Sequence, residues 1–386
     1  MRKKWDIHVK RSSLFFFFLY LEGLLGLFAG QQVLPDKYFN DSRTIWRFMF
    51  SDQSLGFFDS YANTARFFNV IGLRFVDSPL FQGLICYTIA FFCLHSIYKL
   101  VKVPVSKGIF VFLLIWNVPF VIYMGQLSKD LIVVMILALQ LHLIHRKRKG
   151  HVFSVIVLTA LYALFFRHYW IIILYISAIF FLMITKDFNL LGIKFQRTRI
   201  LFGKYFMKLS RPIKYSLLIF GIIVLQFAAY LNSIYLTDAR TRVNLARLGD
   251  PEAVTLINNL LPNQSVFTDL VNWISGWLRL LIPVEVMRHG GLQHVAFSIL
   301  HIVTISAFLL MVRFLKKSGQ GNRAVDWSIA WLISFSFVQG IFEPDFGSYL
   351  KHETALLPMF LYLMLSYRGM RLERFRRIKN AEGVSK

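Results

Sequence analysis

The sequence predicts an all-α, polytopic integral membrane protein with about ten transmembrane helices and both termini cytoplasmic. Three observations carry this: an apolar composition, apolar runs that recur at membrane-spanning length, and a one-sided distribution of basic residues. Of 386 residues, 56% are hydrophobic and 40 are Phe, with a mean hydropathy of +0.55, well beyond a soluble domain. A formal charge of +24 suggests nucleic acid only until the charges are placed. They lie between the apolar runs, where they act as topology signals and lipid-headgroup contacts rather than as a nucleic-acid surface.

A hydrocarbon core needs about 20 mostly apolar residues per helix. On that measure the spans run near 13–33, 79–100, 108–125, 130–145, 152–167, 169–185, 215–236, 293–314, 327–342 and 353–367. The first follows a basic Met1–Arg11 segment and reads as an uncleaved first helix. The fifth and sixth are separated only by Arg167-His168, a candidate hairpin tip. With the N-terminus inside, 31 of the 44 Lys and Arg fall on the inner side, which sets the orientation. The chain reads as a single polytopic domain over 1–386, with a basic cytoplasmic loop at 186–214 and a basic tail at 368–386. The inner segments carry no phosphate-binding loop, nucleotide fingerprint or Cys/His metal spacing, so no cofactor and no metal are expected. Cys86 and Cys93, seven apart in one apolar run, do not suggest a disulfide framework.

Patterned polarity is confined to the expected outer face. The outer loop 34–78 contains Asp36 and Asp41, and the outer loop 237–292 contains Arg240, Arg242 and Arg279. Trp273 and Trp277 mark an amphipathic segment expected to lie on the membrane surface, its tryptophans in an aromatic belt. Ser128-Lys129-Asp130 opens the fourth span; Ser128 suits a helix cap and Asp130 its first turn. Lys129 there is unfavourable beside a helix N-terminus unless an anion is close. The densest stretch is 342–353, where Glu343, Asp345, Lys351, His352 and Glu353 surround Pro344 and Gly347, predicting an irregular segment at membrane depth. Several cations with a few carboxylates and a titratable His suit an anionic substrate and proton transfer.

The architecture, Ser128-Lys129-Asp130 opening a helix, Arg167 with Tyr169 at an outer helix end, and Asp345-Phe346-Gly347-Ser348-Tyr349-Leu350-Lys351-His352 before a last apolar span together resemble the Wzy-like polymerases of bacterial surface polysaccharides. The resemblance implies glycosyl transfer at the outer face of a bacterial cytoplasmic (inner) membrane. Polyprenyl-pyrophosphate-linked oligosaccharide repeat units would be joined into an O-antigen, capsule or exopolysaccharide chain. It implies Lys129, Arg167, Arg240, Arg279 and Lys351 on pyrophosphate, Tyr169 and Tyr349 on sugar, and His352, Asp345 or Glu343 as general base. Implied partners are the lipid-linked substrate, membrane lipids, and the flippase and chain-length-regulator proteins of the same pathway.

Two rivals remain. A GT-C-type glycosyltransferase, with a GT-C-like helical bundle and outer-face loops, would use a lipid-phosphate sugar, often a divalent metal, and a catalytic carboxylate in the first outer loop, where Asp36 and Asp41 lie. A transporter or flippase of lipid-linked glycans would line the span interiors with charge, where only Glu22 and a few His are conspicuous.

Overall fold

The computed structural model describes residues 2–51, 56, 59–146, 151–185, 216, 219–223, 226, 235–247, 255–288, 291–318 and 322–384. Among them the chain is all-helical, apart from an isolated antiparallel bridge between Leu256 and Asp345. The helices in order are α1 (Arg2–Val33), α2 (Asn40–Phe50), α3 (Ser60–Val70), α4 (Pro79–Val101), α5 (Lys107–Met124), α6 (Lys129–His145), α7 (His151–Phe165) and α8 (Trp170–Ile184). There follow α9 (Asp238–Ala246), α10 (Val266–Leu281), α11 (Val284–Arg288), α12 (Leu292–Lys317), α13 (Arg323–Phe342), α14 (Phe346–Thr354) and α15 (Leu357–Val384).

Five are long and apolar enough to cross a membrane: the Ser12–Val33 part of α1, α4, α5, α12 and α13. α7 and α8 are apolar, but at 15 residues each they extend only about 22 Å, short of a ~30 Å hydrocarbon core. The basic loop expected at 186–214 and most of the run at 215–236 lie outside the described residues.

Two local expectations are corrected. The stretch 342–353 is not irregular throughout: only Glu343–Asp345 separates α13 from α14. Asp345 replaces the missing helical partner by accepting the Ser348 N–H at 2.8 Å, so Gly347 takes its place in a capped first turn. Nor does Trp273 stand in an aromatic belt. It is enclosed where α10 packs on α13, and its indole N–H donates to the Phe337 carbonyl at 2.8 Å.

By its internal contacts the chain divides into two compact units, residues 1–170, 314–320 and 351–386, and residues 171–313 and 321–350. In the first, α1 packs on α4 and α5, α4 on α6 and α15, and α6 on α7. A buried polar seam crosses this apolar bundle. Asn117 donates to the Leu19 carbonyl at 2.9 Å and to Glu22, while Tyr87 donates to Asn117 Oδ1 at 3.3 Å. Asn117, Tyr87 and Glu22 thus find partners inside the protein, as an environment poor in water favours. Glycine permits the close approach: a side chain at Gly23 would overlap the Tyr87 ring, and one at Gly83 the Gly125 carbonyl oxygen.

In the second unit α9 and α10 pack on α13. Arg240, fully buried, reaches from α9 into the crossing of Gly276 and Gly340. Its guanidinium donates to the Gly340 carbonyl at 2.8 Å, the Asn272 carbonyl at 3.1 Å and Asn259 Oδ1 at 2.5 Å. A Cβ at Gly340 would lie 2.7 Å from that of Trp277, so both glycines make room for the crossing.

Gly83→Ala should destabilise the detergent-solubilised protein by about 1–3 kcal/mol, because backbone rather than a flexible side chain must yield. Gly108→Ala, where an added Cβ meets nothing within 4 Å, should leave the thermal unfolding midpoint unchanged or raised. Equal midpoints for the two variants would contradict this account of the α4–α5 contact.

Candidate functional site

The sequence gathers its chemistry in the first unit around one carboxylate. Asp130 stands in the first turn of α6, where Ser128 caps the helix by accepting the Asp130 N–H at 3.1 Å. Asp130 is fully buried, and three cationic or titratable side chains converge on it. Arg167, at the corner between α7 and α8, pairs with it at 2.9 Å; His352 Nδ1 lies at 3.1 Å and Lys351 Nζ at 3.8 Å, both from α14. The corner is anchored from α3, whose Ser60 donates to the Phe166 carbonyl and Asn63 to that of Phe165. Asp59 caps α3 in turn, accepting the N–H groups of Tyr61 and Ala62.

A second carboxylate completes the cluster. Asp41, from α2, pairs with Lys351 and accepts the Tyr61 hydroxyl proton at 2.8 Å. Tyr61 presents its ring face to Lys129, whose Nζ lies 3.3 Å from the ring centroid. This answers the oddity of a lysine at a helix N-terminus: the compensating negative charge comes from Asp41, Asp130 and the Tyr61 π-face. Three cations, Lys129, Arg167 and Lys351, thus face two carboxylates, leaving one positive charge in excess when His352 is neutral.

Burial and crowding tune these groups. Desolvation and the neighbouring Arg167 guanidinium bring the Lys129 ammonium down to about 8. Burial alone would raise the Asp41 carboxyl, but the Lys351 ammonium and the hydrogen bonds from Lys351 and Tyr61 outweigh it and hold it at about 2. Burial and then Arg167 lower His352 below the usual imidazole range, against the pull of Asp130. His352 is therefore neutral at pH 7. Arg167 Nη1 lies 3.2 Å from the same His352 Nδ1, but an Arg N–H can only donate and Asp130 can only accept, so one nitrogen cannot satisfy both. Arg167 already has Asp130 and the Tyr169 hydroxyl, the latter at 3.3 Å. The neutral tautomer that fits is the one donating Nδ1–H to Asp130, the arrangement of an oriented base.

Of the residues expected at the site, Lys129, Arg167, Tyr169, Lys351, His352 and Asp41 thus come together. Asp36 does not: it lies in an exposed pair with Arg43 at 2.5 Å. The remainder belong to the second unit. Arg240 is consumed by the helix crossing, and Asp345 pairs with Arg247 at 2.5 Å while capping α14. Arg279 pairs with Glu285, and Glu343 is the buried C-terminal cap of α13. Tyr349 packs edge-on against His301, with ring centroids 5.3 Å apart. The second unit also holds a cleft of about 580 Å³ whose lining includes Asp238, Thr241, Asn258 and Asn263, with Leu245, Leu260, Leu261 and Pro262 as apolar walls. Sequence reading missed Tyr61, which no motif marks. Among the described residues no group of three His, Cys, Asp or Glu gathers at metal-binding spacing. No family model, curated protein or solved structure matches the chain.

Asp130→Ala should cost about 3–5 kcal/mol of stability, since it strands the buried Arg167 charge, whereas Asp36→Ala, which breaks only an exposed pair, should leave stability nearly unchanged. Chemical denaturation in mixed micelles distinguishes them, and similar losses would refute a central role for Asp130. Asp41 adds an acid-sensitive contribution. Its folded-state carboxyl sits below its ordinary 3.8, so the stabilisation is complete above about pH 4 and is lost as pH falls towards 2. The stability gap between wild type and Asp41→Asn should close over that window.

Proposed function

We propose that the protein is a glycosyltransferase that polymerises polyprenyl-pyrophosphate-linked oligosaccharide repeat units. It would do so at the outer face of a bacterial inner membrane, within a chain of about ten spans with both termini inside. One observation carries the reading: Lys129, Arg167 and Lys351 converge with His352 around Asp130, at helix ends rather than mid-span. Such a cluster suits a phosphorylated leaving group beside a base.

In this mechanism an acceptor hydroxyl oxygen attacks the anomeric carbon of the donor as its bond to the pyrophosphate oxygen breaks. The leaving pyrophosphate takes the bonding electrons, and the acceptor proton passes to His352. Negative charge grows on the leaving oxygens, where the Lys129 and Lys351 ammoniums and the Arg167 fork stabilise it. Asp130 holds Arg167 and His352 in place. His352 is the better base because Asp41, held at about 2, is a poor proton acceptor. Asp345 and Glu343, bound into the connection between α13 and α14, act as structural groups in this reading.

A second reading is kept by Asp41 itself, a first-loop carboxylate standing inside the cluster. It would make the protein a GT-C-type transferase of single lipid-phosphate sugars.

Purified protein given lipid-pyrophosphate repeat units, EDTA and no nucleotide should yield a ladder of lengths. Arg167→Ala or Lys351→Ala should lower its rate roughly 10²–10³-fold. A single added sugar that needs divalent metal and is lost in Asp41→Ala would instead establish the second reading. The rate should also fall as pH rises through about 8, where Lys129 loses its charge. Lys129→Arg, charged throughout, should remove that alkaline limb, and an unchanged limb would count against Lys129.

A further inference from the structure

The first unit has another cationic concavity, which shares no residue with the cluster and differs from it in character. Lys317 and Ser318, at the C-terminal end of α12, face Met370, Arg374 and Arg377 of α15 across a hollow of about 470 Å³. Residues 370, 374 and 377 are spaced by four and three, so they share one face of α15. Phe314 and Met370 supply apolar surface beside the three cations. The walls are fixed: Phe314 packs edge-on against Tyr367 with centroids 4.8 Å apart, and the Ser318 hydroxyl approaches the Met370 sulfur at 3.4 Å. Arg371 turns away, its guanidinium lying 5.7 Å from the Tyr367 ring centroid.

Ordinary forces explain part of this. A lysine near the end of α12 complements the helix dipole, and basic residues flanking apolar runs orient a membrane protein. Neither force requires three cations to converge on one hollow. Among the described residues none of Lys317, Arg374 and Arg377 pairs with a carboxylate. Both walls lie where apolar helix gives way to charged helix. α12 carries no Lys, Arg, Asp or Glu before Arg313, and α15 changes from buried Leu365 to exposed Arg371 and Glu373. In a membrane-spanning helix such a change from apolar to charged residues marks the headgroup region.

We propose that this hollow binds the phosphate group of an anionic lipid, with Lys317, Arg374 and Arg377 on the phosphate oxygens, Ser318 as a hydroxyl donor, and Phe314 and Met370 against the glycerol and first chain carbons. The site is independent of the glycosyl-transfer reading, so either can fail alone. Native mass spectrometry of the full chain, released from nanodiscs of phosphatidylglycerol and phosphatidylcholine, should show phosphatidylglycerol retained in preference. Arg374→Gln/Arg377→Gln should weaken it by about 25-fold, taking roughly fivefold per surface cation. Lys316→Gln/Lys379→Gln, which removes equal charge outside the hollow, should retain wild-type affinity. Equal losses in the two doubles would overturn the site in favour of diffuse attraction to a basic surface. Inorganic phosphate displacing the lipid at comparable concentration would overturn the lipid assignment and leave a free-anion site.

Discussion

The candidate site depends on one buried carboxylate. Asp130 is enclosed at a helix N-terminus, where the helix dipole and the Ser128 cap favour its charge, but an isolated ion there would be prohibitive. Its partners must therefore come to it, and they come from separate parts of the chain: Arg167 from the corner before α8, and Lys351 and His352 from α14. The demand to neutralise Asp130 also fixes what the cations cannot do. Arg167, largely buried against it, is oriented by Asp130, while Lys351 is shared between Asp41 and Asp130 and Lys129 lies over the Tyr61 ring.

This arrangement separates two jobs that the same residue types could have shared. The carboxylates stay ionised, Asp41 because Lys351 and Tyr61 hold it so, and neither is a ready proton acceptor near neutrality. His352 stays neutral because burial and Arg167 disfavour its cation. The group with the proton affinity for base chemistry is therefore the one whose ring a buried carboxylate orients.

Much of this was legible in the sequence. Apolar runs of spanning length marked helices because backbone hydrogen bonds away from water must be internal, which leaves few alternatives to helix. Lys129 was informative because it opposed the helix dipole, so a local cost predicted a compensating anion before any contact was known. What could not be read was which distant charge met which. Arg240 and Arg167 look alike in sequence, each a basic residue beside an expected span end. One is locked into a helix crossing that exists because Gly276 and Gly340 lack side chains, and the other reaches Asp130. Pairing at such separations is a tertiary property, and a single sequence carries no covariation to reveal it.

The same reasoning explains why Pro344 and Gly347 misled. Helix breakers were read as a long irregular segment, but only three residues separate α13 from α14, because Asp345 supplies a cap and restarts the helix at once. That short break has a consequence for the site. With Asp345 capping the helix, Lys351 and His352 lie in its last turn, on a rigid element rather than a loop. Two adjacent residues on a helix point about 100° apart. Lys351 can thus serve Asp41 while His352 serves Asp130, and a coil at this position would have to be ordered at the moment of binding to do the same. The charged stretch expected as an irregular segment thus places Lys351 and His352 on a helix.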